Sequence, residues 1–169
     1  SNINSIGEVC FNTSITGYQE IITDPSYDKQ IVTFTNPHIG NTGVNVDDYE
    51  SSYNGCSGII IRNHPTKESS WRNENNFLEF LKDKMISAVC SVDTRYLTSL
   101  LREKGSINGC IVPDIKKLDQ AKDLLSKFPG LNGLDLAKNV TTKEQYIWDE
   151  GTHDLVNVET SKNQKELKV

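Results

Sequence analysis

Cys56 stands in the segment Gly55-Cys56-Ser57-Gly58, whose small residues could present a nucleophilic thiol. Cysteine amidases hold such a thiolate on a tight glycine turn beside backbone amides. That turn needs a glycine two residues before the cysteine and a strand leading into it. Position 54 is instead asparagine, and residues 51–53 have the composition of a loop. The pattern argues against a catalytic Cys56, and a small stand-alone cysteine hydrolase is kept only as an alternative.

Other residue types that perform chemistry lack partners at a useful spacing. His38, His64 and His153 fall in three separate loop-like segments, without a carboxylate at metal-ligand spacing. No glycine-rich phosphate-binding motif occurs, so we expect no ATP site in this chain. Asp93 and Arg95 could form an acid–base pair, but an aspartate directly before a helical pattern is more often a helix cap.

Composition narrows the class of protein. The 169 residues are 36% hydrophobic and 24% charged, which is typical of one soluble domain with a tail. No apolar run approaches the roughly 20 residues of a membrane-spanning helix, so no membrane partner is expected. The net charge of -5 argues against a nucleic-acid partner. The N-terminus lacks the features of a signal peptide, and the four cysteines are widely spaced; both favour a cytoplasmic protein with reduced thiols.

The first half of the chain is predicted to be mostly β. Runs rich in β-branched residues and bounded by turn formers predict strands at residues 8–11, 30–35 and 58–61. A short helix is expected at residues 17–22, and Pro25 follows it as a stop signal. Residues 37–43 have the composition of a loop.

From residue 70 onward, helical patterns alternate with short apolar runs. Strands are predicted at residues 88–92 and 109–112. The first helix is expected to be capped by Ser70 or Asn73. The second is expected to be capped by Asp93 and to end at Lys104-Gly105. Three helices are predicted to turn apolar faces to the core: Phe77, Leu78, Leu81 and Met85 in the first, Leu97, Leu100 and Leu101 in the second, and Leu118, Ala121, Leu124, Leu125 and Phe128 in the third.

The end of the chain has a different pattern. Residues 145–148 and 155–158 flank Gly151-Thr152, as in a β-hairpin. Residues 159–165 are wholly polar and are expected to form a linker. Altogether the patterns predict an α/β domain in which a β-rich half precedes alternating helices and strands.

Polar loop residues gather in the first half and suggest a binding edge. Their density of hydroxyls, amides and glycines suits a surface that recognises a ligand or partner better than a core. The segments concerned are residues 12–14, 19–20, 24–27 and 37–43.

A series of blocks along the chain carries a family likeness. Residues 7–27 read GEVCFNTSITGYQEIITDPSY, and residues 30–45 read QIVTFTNPHIGNTGVN. Later blocks are GIIIRN, WRNENNFLEFLKD, VDTRYLTSLLREKGSINGCIV, FPGLNGLDLAKNVTT and the segment around Trp148. In this order they closely resemble the small subunit of glutamine-hydrolysing carbamoyl-phosphate synthetases. The resemblance covers nearly the whole chain.

The resemblance implies a swivelling β/β/α fold. It identifies residues 1–158 as the N-terminal domain of that subunit, with the family's opening hairpin missing and a variable insert at residues 53–57. Residues 159–169 would be a polar linker and the start of a glutaminase domain. In the family that following domain carries a Cys-His-Glu triad, none of which lies here. No catalytic residue or metal ligand is therefore expected in this chain.

The resemblance also implies the reaction of the complete enzyme, which is a ligase. It splits glutamine, passes ammonia through an internal tunnel and makes carbamoyl phosphate from bicarbonate and two ATP. ATP and Mg²⁺ belong to the synthetase part, so no cofactor is expected in this chain, which alone should be inactive. The implied partners are the glutaminase domain, glutamine and a synthetase that is either separate or fused. Pyrimidine and arginine biosynthesis both stay open, as does a pure interaction module.

One site residue is carried over from the family. There, the serine of the D-P-S-Y segment reaches the glutaminase site and hydrogen-bonds the bound glutamine. The matching segment is Asp24-Pro25-Ser26-Tyr27, so the resemblance implies Ser26 as the glutamine-binding residue. From the residues alone, a turn hydroxyl that bonds its own backbone is the favoured role for Ser26, and the resemblance reverses that preference.

Overall fold

The computed structural model describes residues 4–53, 55–154 and 159–168. Contacts between Cα atoms divide the chain into two compact units, Ser1–Leu136 and Ala137–Val169. Each unit is described by itself. The extent of the N-terminal domain implied by the resemblance, residues 1–158, stays a prediction.

The first unit is built on a five-stranded sheet with the strand order β4-β3-β2-β1-β5. Four neighbouring strands run parallel, and β5 is antiparallel to β1. The strands are β1 (Ser5–Asn12), β2 (Gln30–Phe34), β3 (Gly58–Ile60), β4 (Ser87–Val89) and β5 (Ile107–Ile111). The carboxyl ends of β1 to β4 therefore lie along one edge of the sheet. The predicted α/β class with a β-rich first half is confirmed.

Helices and turns connect these strands. The described residues of this unit form four α-helices, α1 (Tyr18–Thr23), α2 (Phe77–Asp83), α3 (Thr94–Lys104) and α4 (Leu118–Lys127), and two short 3-10 helices, Pro25–Tyr27 and Ile115–Lys117. Within the described ranges, no helix has the length and apolar character needed to cross a bilayer.

The sheet is covered on both faces, and β2 shows why its sequence is apolar throughout. Successive side chains of a strand point to opposite faces. Val32 belongs to a cluster with residues of α1 and α2, whereas Ile31 packs in a second cluster with Leu101 of α3. Both β2 residues are almost fully buried. The sheet is thus held between α1 and α2 on one side and α3 on the other.

Helix α2 begins later than the sequence pattern predicts. Asn76 is its cap, and the Asn76 side chain accepts hydrogen bonds from the backbone of Leu78 and Glu79. The predicted caps Ser70 and Asn73 are therefore wrong, because a turn at residues 71–72 and a bridge between Asn75 and Val44 come before the helix. Met85, predicted to share the buried face, lies beyond the helix with a φ of 55° and is 62% exposed.

Helix α3 begins and ends as predicted. The Asp93 side chain accepts a hydrogen bond from the backbone N–H of Tyr96, which confirms the cap. Gly105 has a φ of 82°, and its N–H donates to the carbonyl of Leu101 at the end of the helix. A residue with a side chain rarely adopts that φ, so glycine suits this stop.

Helix α4 exists as predicted, but its apolar face is only partly core. Ala121 is buried, whereas Leu118 is 45% exposed and Leu124 is 37% exposed. The helix packs against β5, the edge strand of the sheet. An edge strand offers a helix less surface than a central strand does, so the predicted burial of this whole face is wrong.

The second unit contains α5 (Ala137–Val140) and an antiparallel pair, β6 (Ile147–Asp154) and β7 (Glu159–Lys168). The predicted turn at Gly151-Thr152 is wrong, because β6 continues through it, and residues 155–158 lie outside the described part. Residues 159–165, predicted as an irregular linker, belong to β7. Backbone hydrogen bonds to β6 satisfy a strand whatever the polarity of its side chains.

Candidate functional site

Ser26 lies in the 3-10 helix Pro25–Tyr27, which joins α1 to β2. Pro25 occupies the first helical position, where its fixed φ is favourable. The Asp24 carboxylate accepts a hydrogen bond from the backbone N–H of Ser26, with 2.8 Å between Oδ1 and N. The N–H of Asp28 closes the turn by donating to the carbonyl of Pro25 at 3.0 Å. The D-P-S sequence therefore builds this turn locally.

The Ser26 side chain is exposed. Among the described residues, the Ser26 hydroxyl makes no hydrogen bond. The backbone N–H of Ser26 donates to the Asp24 carboxylate. The geometry therefore differs from the ordinary role of a turn hydroxyl that bonds its own backbone. The hydroxyl of Ser26 faces outward with both its donor and its acceptor capacity available.

Residues before and after Ser26 fix the turn to the rest of the unit. Thr23, which directly precedes the turn, accepts a hydrogen bond at its Oγ1 from the backbone N–H of Glu50 at 3.0 Å. The Tyr27 hydroxyl accepts a hydrogen bond from Asn12 Nδ2 at 3.0 Å, at the end of β1. The Tyr53 hydroxyl donates to Asp28 Oδ1 at 3.3 Å, and Asp28 is largely buried. Partial burial, together with the nearby Asp28 charge, raises the pKa of the Tyr53 hydroxyl. Ser26 is thus presented on a turn that is held at both of its ends.

A polar cleft of about 490 Å³ opens between the segment after β1 and the loop after β2. It brings Gln19, Glu20 and part of the predicted 37–43 loop together, as expected for a binding edge. Its lining residues are Ile15, Thr16, Gly17, Tyr18, Gln19, Glu20, Asn36, His38, Asn41, Thr42, Gly43, Asn45, Asp48, Ser70 and Arg72. Ser26 is not among them.

The wall of this cleft is a connected hydrogen-bond network. Gln19 Nε2 donates to the carbonyl of Asn45 at 2.6 Å, and the Asn45 N–H donates back to Gln19 Oε1 at 3.0 Å. Asn45 Nδ2 donates to Asp48 Oδ2 at 2.8 Å. Arg72 contacts both oxygens of Asp48, at 3.1 Å and 2.7 Å. The guanidinium charge of Arg72 is therefore already paired.

Sequence patterns missed Asn45, Asp48 and Arg72 because these residues meet only when two loops fold over α1. Nothing local marks such a network. Burial raises the pKa of Glu20, the cleft's other carboxyl group. The cleft offers hydroxyl, amide and carboxyl groups that can form hydrogen bonds with a ligand or partner.

Cys56 is a core residue. Its side chain is buried in the same cluster as Ile22, and burial raises the pKa of its thiol to about 12. The neighbouring Gly55 has a φ of 54°, and a Cβ there would lie 2.1 Å from the carbonyl oxygen of Ile22. The glycine therefore permits close approach of two backbones, and the protonated thiol provides no nucleophile at neutral pH.

The histidines stay apart from any catalytic group in the described part of the chain. His38 lies at the wall of the polar cleft, and His64 Nδ1 is 2.9 Å from the carbonyl of Pro65. The His153 side chain is outside the described residues. Within the parts that the structure describes, no group of three or more potential ligands could hold a metal ion.

Comparison with known proteins identifies the family of this chain. The family described as "Carbamoyl-phosphate synthase small chain, CPSase domain" matches residues 1–111, which include the Ser26 turn, the polar cleft and strands β1 to β5. The chain belongs to the carbamoyl-phosphate synthase small-chain family. The resemblance found in the sequence blocks is thereby confirmed.

Curated relatives carry the same family name. The carbamoyl phosphate synthase small chain of Vibrio parahaemolyticus is 55% identical over 153 residues, covering 89% of this chain and 40% of the relative. The small chain of Salmonella typhimurium is 54% identical over 157 residues, with 90% and 40% covered. That of Pectobacterium atrosepticum is 51% identical, with 96% and 43% covered. This small-chain sequence thus spans about 40% of the length of these relatives.

Proposed function

We propose that this chain is the non-catalytic N-terminal domain of a glutamine-hydrolysing carbamoyl-phosphate synthase. It supports an adjoining glutaminase domain and presents Ser26 to the glutamine bound there. Ammonia released from glutamine then feeds the synthesis of carbamoyl phosphate from bicarbonate and ATP. Family membership supports the subunit role, and the geometry of the Ser26 turn supports the contact with glutamine.

The observation that carries this proposal is the exposed, unengaged hydroxyl of Ser26 on a turn fixed at both ends. A hydroxyl can donate one hydrogen bond and accept two, so it can bond either the carboxylate or the amino group of glutamine. A fixed turn lowers the entropy lost when that contact forms. Cys56 is buried and burial raises the pKa of its thiol, so we assign the nucleophile to the adjoining glutaminase domain.

The family name supports a synthetase large chain as a partner, and the other partners are part of our proposal. The glutaminase domain would adjoin this chain, and a synthetase large chain, separate or fused, would use the ammonia. ATP and Mg²⁺ would bind in that synthetase part. A cytoplasmic location belongs to the same proposal.

The proposal is tested by Ser26→Ala in the complete enzyme. A neutral hydroxyl contact contributes about 0.5–1.5 kcal/mol net, so glutamine-dependent kcat/KM should fall by about two- to twelve-fold. Synthesis from free ammonia bypasses the glutamine site and should keep its normal rate. Ser106→Ala is a matched control, because Ser106 is also exposed but lies in the loop between α3 and β5.

The two substrates separate the possible outcomes. A parallel loss of ammonia-dependent synthesis would mean that Ser26 acts through folding or docking. Unchanged rates with both substrates would show that Ser26 is only a turn residue. A loss limited to glutamine, absent from the Ser106→Ala control, is the expected result.

A further inference from the structure

A second cleft lies on the α3 side of the sheet and differs in charge from the polar cleft. Its volume is about 380 Å³. It is lined by three arginines and four hydroxyl residues: Arg62, Arg95, Arg102, Thr35, Thr94, Thr98 and Ser99. No carboxylate is among these lining residues, although the chain carries a net charge of -5.

The sheet topology brings these residues together. Thr35 directly follows β2 and Arg62 follows β3 by two residues, so both lie where parallel strands end. Thr94 and Arg95 open α3, which packs over the same face of the sheet. In open α/β sheets, ligands bind in crevices outside the carboxyl ends of parallel strands. This arginine cleft has that position.

The arginines are not engaged elsewhere. Arg62, Arg95 and Arg102 form no ion pair among the described residues, whereas Arg72 is paired with Asp47 and Asp48. The arginine side chains are exposed at the rim of the cleft. Three unpaired guanidinium groups around one recess give it a positive potential that attracts anions.

A largely buried threonine also lines the cleft. Thr94 is only 1% exposed and is the first residue of α3. The hydroxyls of Thr98 and Ser99 already donate to backbone carbonyls of α3. Thr94 adds a further hydroxyl group to the cleft wall, and a hydroxyl can donate a hydrogen bond to a bound anion.

We propose that the arginine cleft binds the phosphate group of a small-molecule ligand. A phosphate dianion offers several acceptor oxygens and matches the planar fork of guanidinium groups. The Thr94 hydroxyl would donate to one oxygen. A single carboxylate would leave two of the three positive charges without a counter-charge. This site is separate from Ser26 and does not depend on the proposed glutamine contact.

The test is a titration of the 169-residue chain with pyrophosphate and inorganic phosphate, followed by two-dimensional amide NMR. Ionic strength is kept constant with chloride. The expected result is a saturable shift of the amide signals of Thr35, Thr94 and Ser99. Non-saturable shifts, or shifts spread over residues far from the cleft, would overturn the proposal in favour of general charge screening.

Variants make the test specific. Arg62→Gln and Arg102→Gln should each weaken the pyrophosphate affinity by about two- to five-fold, the range of an exposed ion pair. Lys104→Gln removes a positive charge from the same helix outside the cleft and should leave the affinity unchanged. Arg102→Lys keeps the charge and should restore part of the affinity. Equal weakening by Lys104→Gln would refute a built site.

Discussion

Asp24 is predicted to position Ser26 without touching glutamine. Its carboxylate accepts the hydrogen bond from the Ser26 N–H at 2.8 Å and caps the 3-10 helix Pro25–Tyr27. The variant Asp24→Ala removes that acceptor. Asp24→Asn keeps a side-chain oxygen at the same position and serves as the matched control, because asparagine caps about as well as aspartate.

The size of the effect has two parts. Loss of a capping side chain costs about 0.5–2 kcal/mol of stability, and water can replace the bond because Ser26 is exposed. In catalysis, Asp24→Ala can remove no more than the Ser26 contact itself contributes, about 0.5–1.5 kcal/mol. Glutamine-dependent kcat/KM should therefore fall by at most about twelve-fold, with the ammonia-dependent rate unchanged.

A double-mutant cycle provides the decisive assay. If Asp24 acts only through Ser26, the double variant Asp24→Ala/Ser26→Ala should be no slower with glutamine than Ser26→Ala alone. Additive losses would refute this positioning role, because they would mean that Asp24 affects glutamine by a separate route. An equal loss in Asp24→Asn would show that the negative charge matters rather than the cap.

The remaining predictions concern packing and thiol chemistry. Phe77 is fully buried and packs edge-on against Tyr18, so Phe77→Ala should lower the free energy of unfolding in urea by about 3–5 kcal/mol. Leu124 lies on the half-exposed face of α4, so Leu124→Ala should lower it by about 1 kcal/mol. Equal costs would mean that the assigned core is wrong. A thiol with a pKa of about 12 has roughly a thousand-fold less thiolate at pH 8 than one at the ordinary 9.0, so iodoacetamide should label Cys56 only after unfolding. Because folding raises this pKa, the contribution of the buried thiol to stability is complete below pH 9 and is lost as the pH rises towards 12. Rapid labelling of Cys56 itself in the native protein, or ammonia release from glutamine that Cys56→Ala abolishes, would instead support a cysteine hydrolase.

Local features of the fold were predictable from the sequence because their causes are local. The alternating and apolar runs predicted all five strands of the first unit, with ends that differ by a few residues. Asp93 and Gly105 marked the two ends of α3, since a cap and a left-handed stop depend on the neighbouring backbone alone. The D-P-S-Y segment likewise folds into its turn through its own hydrogen bonds.

Burial was not predictable in the same way, because it depends on what packs against a face. The periodic apolar face of α4 resembles that of a core helix, yet the helix packs on an edge strand and Leu124 stays 37% exposed. Cys56 shows the converse. Its glycine-rich surroundings suggested a presented thiol, but the close approach of Gly55 to Ile22 buries it.

The sequence by itself determined the family, the order of the elements and the turn that carries Ser26. Only the tertiary structure decided which distant residues form a site. Gln19, Asn45 and Arg72 become one network because two loops close over α1. Arg62 and Arg102 line one cleft because parallel strands end at a common edge beneath α3. Contacts between such distant residues depend on strand order and helix packing, which no short sequence pattern determines.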